Sequence, residues 1–205
     1  METLLAFGAA LLTLRLAGLV AGRWRTRRPA PGLLAWSAGL GAYALGTAAL
    51  AWGAAAGWDE RAFRAYYLFG GLLTAPLLGA GSLLATGRRA AGPAILVYSG
   101  LAVGIVLGVP IEGEIAGSDI PHAQDHLDLF PARVVAIAAN VAGTIALVGV
   151  ALATLRRRPL GNALLLAGFV LAAVGSAVSG LGVAGTSAFV AVAALLLYAG
   201  SSVRS

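Results

Sequence analysis

Apolar residues run uninterrupted along seven stretches of this chain, and short polar segments separate them. A helix needs roughly 20 residues at about 1.5 Å each to cross about 30 Å of hydrocarbon. Stretches at approximately 3–22, 32–55, 65–86, 92–110, 132–154, 160–182 and 185–201 are built for that length, the last being the shortest. The pattern predicts an all-α integral membrane protein, a single seven-helix domain over 1–205 with one long polar loop at 111–131.

The polar segments fall into two sets that alternate along the chain. One set holds Arg23, Arg25, Arg27, Arg28, Arg88, Arg89, Arg156, Arg157, Arg158 and Arg204, and no acid. The other holds every acid of the chain, Glu2, Asp59, Glu60, Glu112, Glu114, Asp119, Asp125 and Asp128, accompanied only by Arg61, Arg64 and Arg133. Cytoplasmic loops carry the excess of basic residues. The expected orientation therefore puts the N-terminus outside and the C-terminus in the cytosol, in a bacterial cytoplasmic (inner) membrane. The first stretch has no positive charge ahead of it and arginines after it, which predicts an uncleaved span rather than a signal peptide. Trp24 and Trp36 fall near the inner face and Trp52 and Trp58 near the outer one, as interfacial belts would.

Composition narrows the function classes. Hydrophobic residues make up 60% and charged residues 11% of the 205, and the mean hydropathy is +0.90, more apolar surface than a water-soluble core can hide. The formal net charge of +6 sits in arginine clusters at helix ends, so it does not describe a nucleic-acid-binding face. No cysteine is present, which removes disulfides, thiolate metal sites and thiol nucleophiles. All fourteen basic residues are arginine. Without lysine there is no retinal Schiff base, although seven helices with the N-terminus outside is also the microbial rhodopsin topology. No acid or histidine lies inside an apolar stretch, which argues against ion-coupled transport, haem held between spans and intramembrane hydrolysis.

An internal repeat is legible in the glycines. Gly32, Gly39, Gly46 and Gly53 recur every seven residues in the second stretch, as do Gly161, Gly168, Gly175 and Gly182 in the sixth, the two rows being offset by 129 positions. Thr47 then matches Ser176, and each row follows an arginine pair and a proline, Arg27-Arg28-Pro29 and Arg157-Arg158-Pro159. The expectation is a parallel 3+1+3 arrangement, helices 1–3 and 5–7 related by an axis along the membrane normal, each glycine row forming a close-packed seam.

Three groups of residues are candidates for a site. Arg15 is the one charge well inside an apolar stretch, about 12 Å along the axis from Arg23; it either snorkels to the headgroups or holds a lipid phosphate or substrate anion. Asn140 is the clearest neutral polar group of the bundle, with Thr74, Thr144, Thr47 and Ser176 as companions, and Pro76 breaks the ladder of the third helix so that a freed carbonyl needs a partner. In the loop, a short helix over 121–129 would put His122 and His126 one turn apart with Asp119 just before them, a spacing that suits a divalent metal such as zinc or copper. An acidic loop facing solvent explains the same residues without a metal.

Two stretches, Ala65-Tyr66-Tyr67-Leu68-Phe69-Gly70 continuing to Pro76, and Leu129-Phe130-Pro131-Ala132-Arg133, resemble a group of uncharacterised seven-helix membrane proteins of high-GC, actinobacterial-type bacteria. The resemblance implies the seven-helix layout and carries no established activity. The 3+1+3 layout is also similar to that of sugar facilitators with a proline–glutamine loop motif, but the sole glutamine here is Gln124 in the loop. The expected function is non-enzymatic: binding or passing a small molecule or anionic lipid without ion coupling, or serving as a subunit of a larger membrane complex or homo-oligomer. The alternative is a metal-binding sensor or membrane enzyme centred on Asp119, His122 and His126.

Overall fold

Prolines and one aspartate place the helix ends. Pro31 opens α2 (Pro31–Ala56) and Pro159 opens α8 (Pro159–Ala177), because proline in a first turn gives up an amide that would have no partner there. Asp59 caps α3 (Glu60–Tyr66), its carboxylate accepting the Ala62 amide at 2.7 Å. That cap starts the third helical stretch at Glu60, ahead of the expected 65. The stretch continues through a π-helical turn, Tyr67–Leu73, into α4 (Thr74–Ala85). The remaining elements are α1 (Glu2–Thr26), α5 (Ala91–Gly108), α6 (Ala123–His126), α7 (Val134–Ala153) and α9 (Gly182–Ser202). A turn over Leu129–Arg133, with a cis Phe130–Pro131 bond, leads into α7. The computed structural model describes residues 2–26, 30–117, 119–157, 159–177 and 182–202.

Among the described residues the secondary structure is helical, with no strand. Thr3–Thr26, Pro31–Ala56, Glu60–Ala85, Ala91–Gly108 and Leu129–Ala153 are each long and apolar enough to cross a membrane. The apolar runs within α8 and α9 are shorter, Pro159–Ala172 and Ala188–Leu197. Gly182, expected as the last glycine of the second row, instead opens α9; the expected end of the sixth stretch beyond Ala177 falls partly outside the described residues.

Glycine decides how closely the helices approach. α2 lays its seam against the third stretch: a Cβ on Gly32 would lie 2.8 Å from the Gly81 carbonyl oxygen, and one on Gly46 would lie 2.9 Å from the Gly70 nitrogen. Gly39 faces Leu78, and Gly53 faces the Trp58 indole. α4 and α7 meet backbone to backbone where Gly79 touches Gly143 and Gly143 touches Ala75 and Pro76. On the other side Gly168 of α8 packs on Ala193, Leu196 and Leu197 of α9. α1 packs along α2 and α9, and α7 meets α8 far less extensively than α1 meets α2. One core cluster gathers Leu16, Leu40, Leu78, Leu147 and Leu197 from five helices. A second, under the 111–131 loop, gathers Leu50, Phe63, Leu72, Ile105, Ile120 and Leu127.

Two of the four tryptophans pack into the bundle, Trp58 buried and Trp36 half-buried. Trp36 donates its indole N–H to Ser82 at 3.2 Å and meets Phe169 edge to face. Trp58 is 3% exposed and packs on Tyr66. Gly81 and Gly53 leave room for these two indoles, because a Cβ at either glycine would overlap the ring opposite it. Trp52, by contrast, is exposed.

The glycine contacts make a direct prediction. Gly79→Val places a branched side chain against the α7 backbone and should cost at least about 2 kcal/mol, by analogy with overpacked cores. Gly104→Ala, where an added Cβ meets nothing within 4 Å, should be neutral or stabilising by up to about 1 kcal/mol through helix propensity. Unfolding of both variants in the same detergent checks this; equal effects would contradict the packing.

Candidate functional site: the broken third helix

Pro76 lacks an amide hydrogen, so the carbonyl four residues earlier, Leu72, loses its α-helical donor, and Gly71 loses the one it would have in π register. Both are met by side chains from neighbouring helices. Tyr98 of α5 donates its hydroxyl to the Leu72 oxygen at 2.8 Å. Asn140 of α7 donates its amide to the Gly71 oxygen and, at 2.8 Å, to Ala136 of its own helix. Within the stretch itself, Thr74 donates to the Phe69 oxygen at 2.7 Å. Three successive helical stretches are thereby pinned to one π turn. Gly70 within that turn lies against Gly46, so α2 supports it from behind.

The same device recurs one turn outward. Pro110 cannot donate to Val106, the carbonyl four residues before it, and α5 ends at Gly108. Arg64 of α3 reaches across to supply the bond, its Nη1 donating to Val106 O and, at 3.1 Å, to Val109 O. Its Nε is held by Glu60 at 2.8 Å. Arg64, Phe63 and Tyr67 line a cavity of about 10 Å³ with Ile105, Val106, Leu127 and Ala132, room for about one water.

Asn140 and Thr74, expected as ligand or lipid candidates, both bond to carbonyls of the π turn. Arg15 does not join them: it sits on the exposed face of α1 with Leu11, Leu14 and Leu19. Of the other polar residues named from sequence, Thr47 is buried and bonds back to Tyr43 and Ala44 of its own helix. The Ser176 side chain lies outside the described residues.

The histidine loop is built differently from the expected helix over 121–129. Only Ala123–His126 is helical, and His122 precedes it in extended conformation. Two apolar anchors override the local helix: Ile120 and Leu127 are buried against the bundle, which pulls the chain straight on both sides of the single turn. His126 contacts the Glu112 carbonyl through Nδ1 at 2.9 Å, meets the Phe63 ring edge to face, and returns its own carbonyl to the Glu112 amide. His122 and Asp119 are exposed. Among the described residues no group of three His, Cys, Asp or Glu side chains comes together as a metal-ligand set.

Sequence reasoning passed over Tyr98, Arg64 and Asn162. The first two are each the donor for a carbonyl four residues before a proline, so the proline positions were the usable signal. Asn162 caps the opposite end, donating to Thr154 at 3.0 Å across the α7–α8 connection. Comparison with known proteins finds no matching family model, no matching curated protein and no matching solved structure.

Tyr98→Phe should destabilise the protein by about 1–2 kcal/mol, because it orphans a carbonyl shielded from water. In a Pro76→Ala background the restored amide can take that carbonyl, and the cost of Tyr98→Phe should fall to roughly half or less. A double-mutant cycle on unfolding free energy measures this; strict additivity would contradict the assignment.

Proposed function

We propose that the chain is a non-enzymatic bacterial inner-membrane protein that binds or passes a small molecule or lipid without ion coupling. In this reading it has seven spans, the N-terminus outside and the C-terminus cytosolic. The observation that carries it is the broken third helix. A π turn between two α segments is a common functional element in membrane bundles, and here neutral side chains hold it, with no acid or histidine bonded to it among the described residues to couple a proton or a sodium ion. The 3+1+3 repeat is supported by Gly39 and Gly168, each of which packs on the helical stretch that follows its own, and by the paired contacts α1 with α9 and α4 with α7. The looser α7–α8 contact departs from that symmetry.

A second reading, a subunit of a larger membrane complex, is favoured by the bareness of α5. Leu96, Val97 and Leu107 are each about three-quarters exposed (74%, 76% and 76%).

Two measurements test the leading reading. A reporter fused after Ser205 should read as cytosolic, and a label placed at His122 should react from outside; a C-terminus labelled from outside would overturn the orientation. Native mass spectrometry of protein released from its own membrane should retain a non-covalent small molecule or lipid. A spectrum with the bare chain alone, under conditions that preserve lipid adducts on a control membrane protein, would count against a binding function.

A further inference from the structure

Two helix seams of the same design have different fates in this bundle. Along α1, Ala6, Ala10, Thr13, Ala17 and Val20 recur at alternating steps of four and three, the spacing of a seam between packed helices. All of them are buried, Thr13 to 1% exposure, and the Ala17 carbonyl accepts the Ser37 hydroxyl of α2 at 2.9 Å. α7 repeats that spacing with Ile137, Val141, Thr144, Val148 and Ala151, its threonine in the same place of the row. The matching row on α8 is Asn162, Leu165, Phe169 and Ala172. In an antiparallel hairpin such rows meet in order: Ala151 with Asn162, Val148 with Leu165, Thr144 with Phe169, and Val141 with Ala172.

The α7–α8 seam is closed only beside the connection of the two helices. Asn162 is 8% exposed and donates to the Ala151 carbonyl at 3.4 Å and to Thr154 at 3.0 Å. Val148 and Leu165 are half-buried against one core cluster. Farther along the same face Thr144 is exposed, and Val141 and Ile137 are 53% and 59% exposed. α7 and α8 therefore hold together at Asn162 and part toward the end of the bundle that carries the 111–131 loop, whereas α1 lies along α2. Lipid tails are as apolar as these side chains, so closing the seam gains packing alone, which keeps an open and a closed form close in free energy.

We propose that α7 and α8 form a lateral gate. It closes by laying Thr144 on Phe169 and Val141 on Ala172, as α1 already lies on α2, and it opens about the Asn162 hinge into the crevice of this structure. The inference rests on the binding function proposed above and gives it an entrance from the bilayer, through walls that are apolar apart from the Thr144 hydroxyl.

The chain has no cysteine, so introduced pairs cross-link without background. The full chain in phosphatidylcholine bilayers is oxidised with copper phenanthroline. A disulfide needs Cα atoms within about 7 Å, and a minority closed form is visited only part of the time, so Val141→Cys with Ala172→Cys should cross-link to completion but about tenfold or more slowly than Ala17→Cys with Ser37→Cys. Val141→Cys with Val170→Cys, on the other face of α8, should stay reduced. Thr144→Trp fits the open crevice and obstructs the closed one; it should slow the Val141–Ala172 cross-link about tenfold further and leave the Ala17–Ser37 pair unchanged. The gate is overturned if the Val141–Ala172 pair reacts no faster than the Val170 control, if it reacts as fast as the Ala17–Ser37 pair, or if Thr144→Trp leaves its rate unchanged. Should Thr144→Trp fail to fold, Ile137→Trp decides in its place. Cross-linking reads the helices and not what they bind: a failed closure sinks the gate while the binding function stands, and a bare parent chain in the native mass spectrum sinks the binding function while a measured closure stands.

Discussion

A backbone carbonyl in hydrocarbon has no water to turn to, and that constraint organises this protein more than any other. Pro76 and Pro110 each leave a carbonyl four residues earlier without its amide. An unmet buried carbonyl costs about 1–3 kcal/mol, a large share of the stability of a small domain. The fold answers with Tyr98 and Asn140 at the first break and with Arg64 at the second. Because each donor comes from a different helical stretch than its acceptor, satisfying the backbone also fixes which helices are neighbours.

Glycine makes those reaches short enough. Tyr98 and Asn140 can both touch one turn only if α5 and α7 stand close to the third stretch, and for α7 that closeness comes from Gly79 against Gly143. On the far side Gly46 lets α2 press on Gly70 inside the π turn itself. The break is held from three sides, and the cavity under the loop opens one turn beyond it, lined by Phe63 and Tyr67 of the same stretch. Sequence, packing and site are linked here through a single discontinuity.

Much of this was readable from residues alone. Long apolar stretches declared the helices, Pro76 declared a break, and Asn140 and Thr74 were identifiable as polar groups of the bundle. The glycine row of α2 announced a close contact, and the structure supplies its partner in Gly81, Leu78 and Gly70. What escaped was whatever depends on tertiary placement. That Trp58 and Trp36 pack against Gly53 and Gly81 could not be read from their positions in the sequence. The loop helix expected to align His122 with His126 gave way to the burial of Ile120 and Leu127, a long-range pull that local spacing does not reveal. Arg64 looked like one of three stray cations in an acidic set, and only its position beside Val106 gives it a purpose.

The central claim is that neighbouring side chains stand in for the amides that proline lacks, and the Leu72 carbonyl reports on it directly. With a carbon-13, oxygen-18 label on that carbonyl, isotope-edited infrared spectroscopy in lipid bilayers reads its hydrogen bonding without disturbing the fold. The account predicts a hydrogen-bonded frequency in the parent protein and a shift to higher wavenumber in Tyr98→Phe, with a label at Leu12 unmoved. An identical Leu72 band in the two proteins would contradict it.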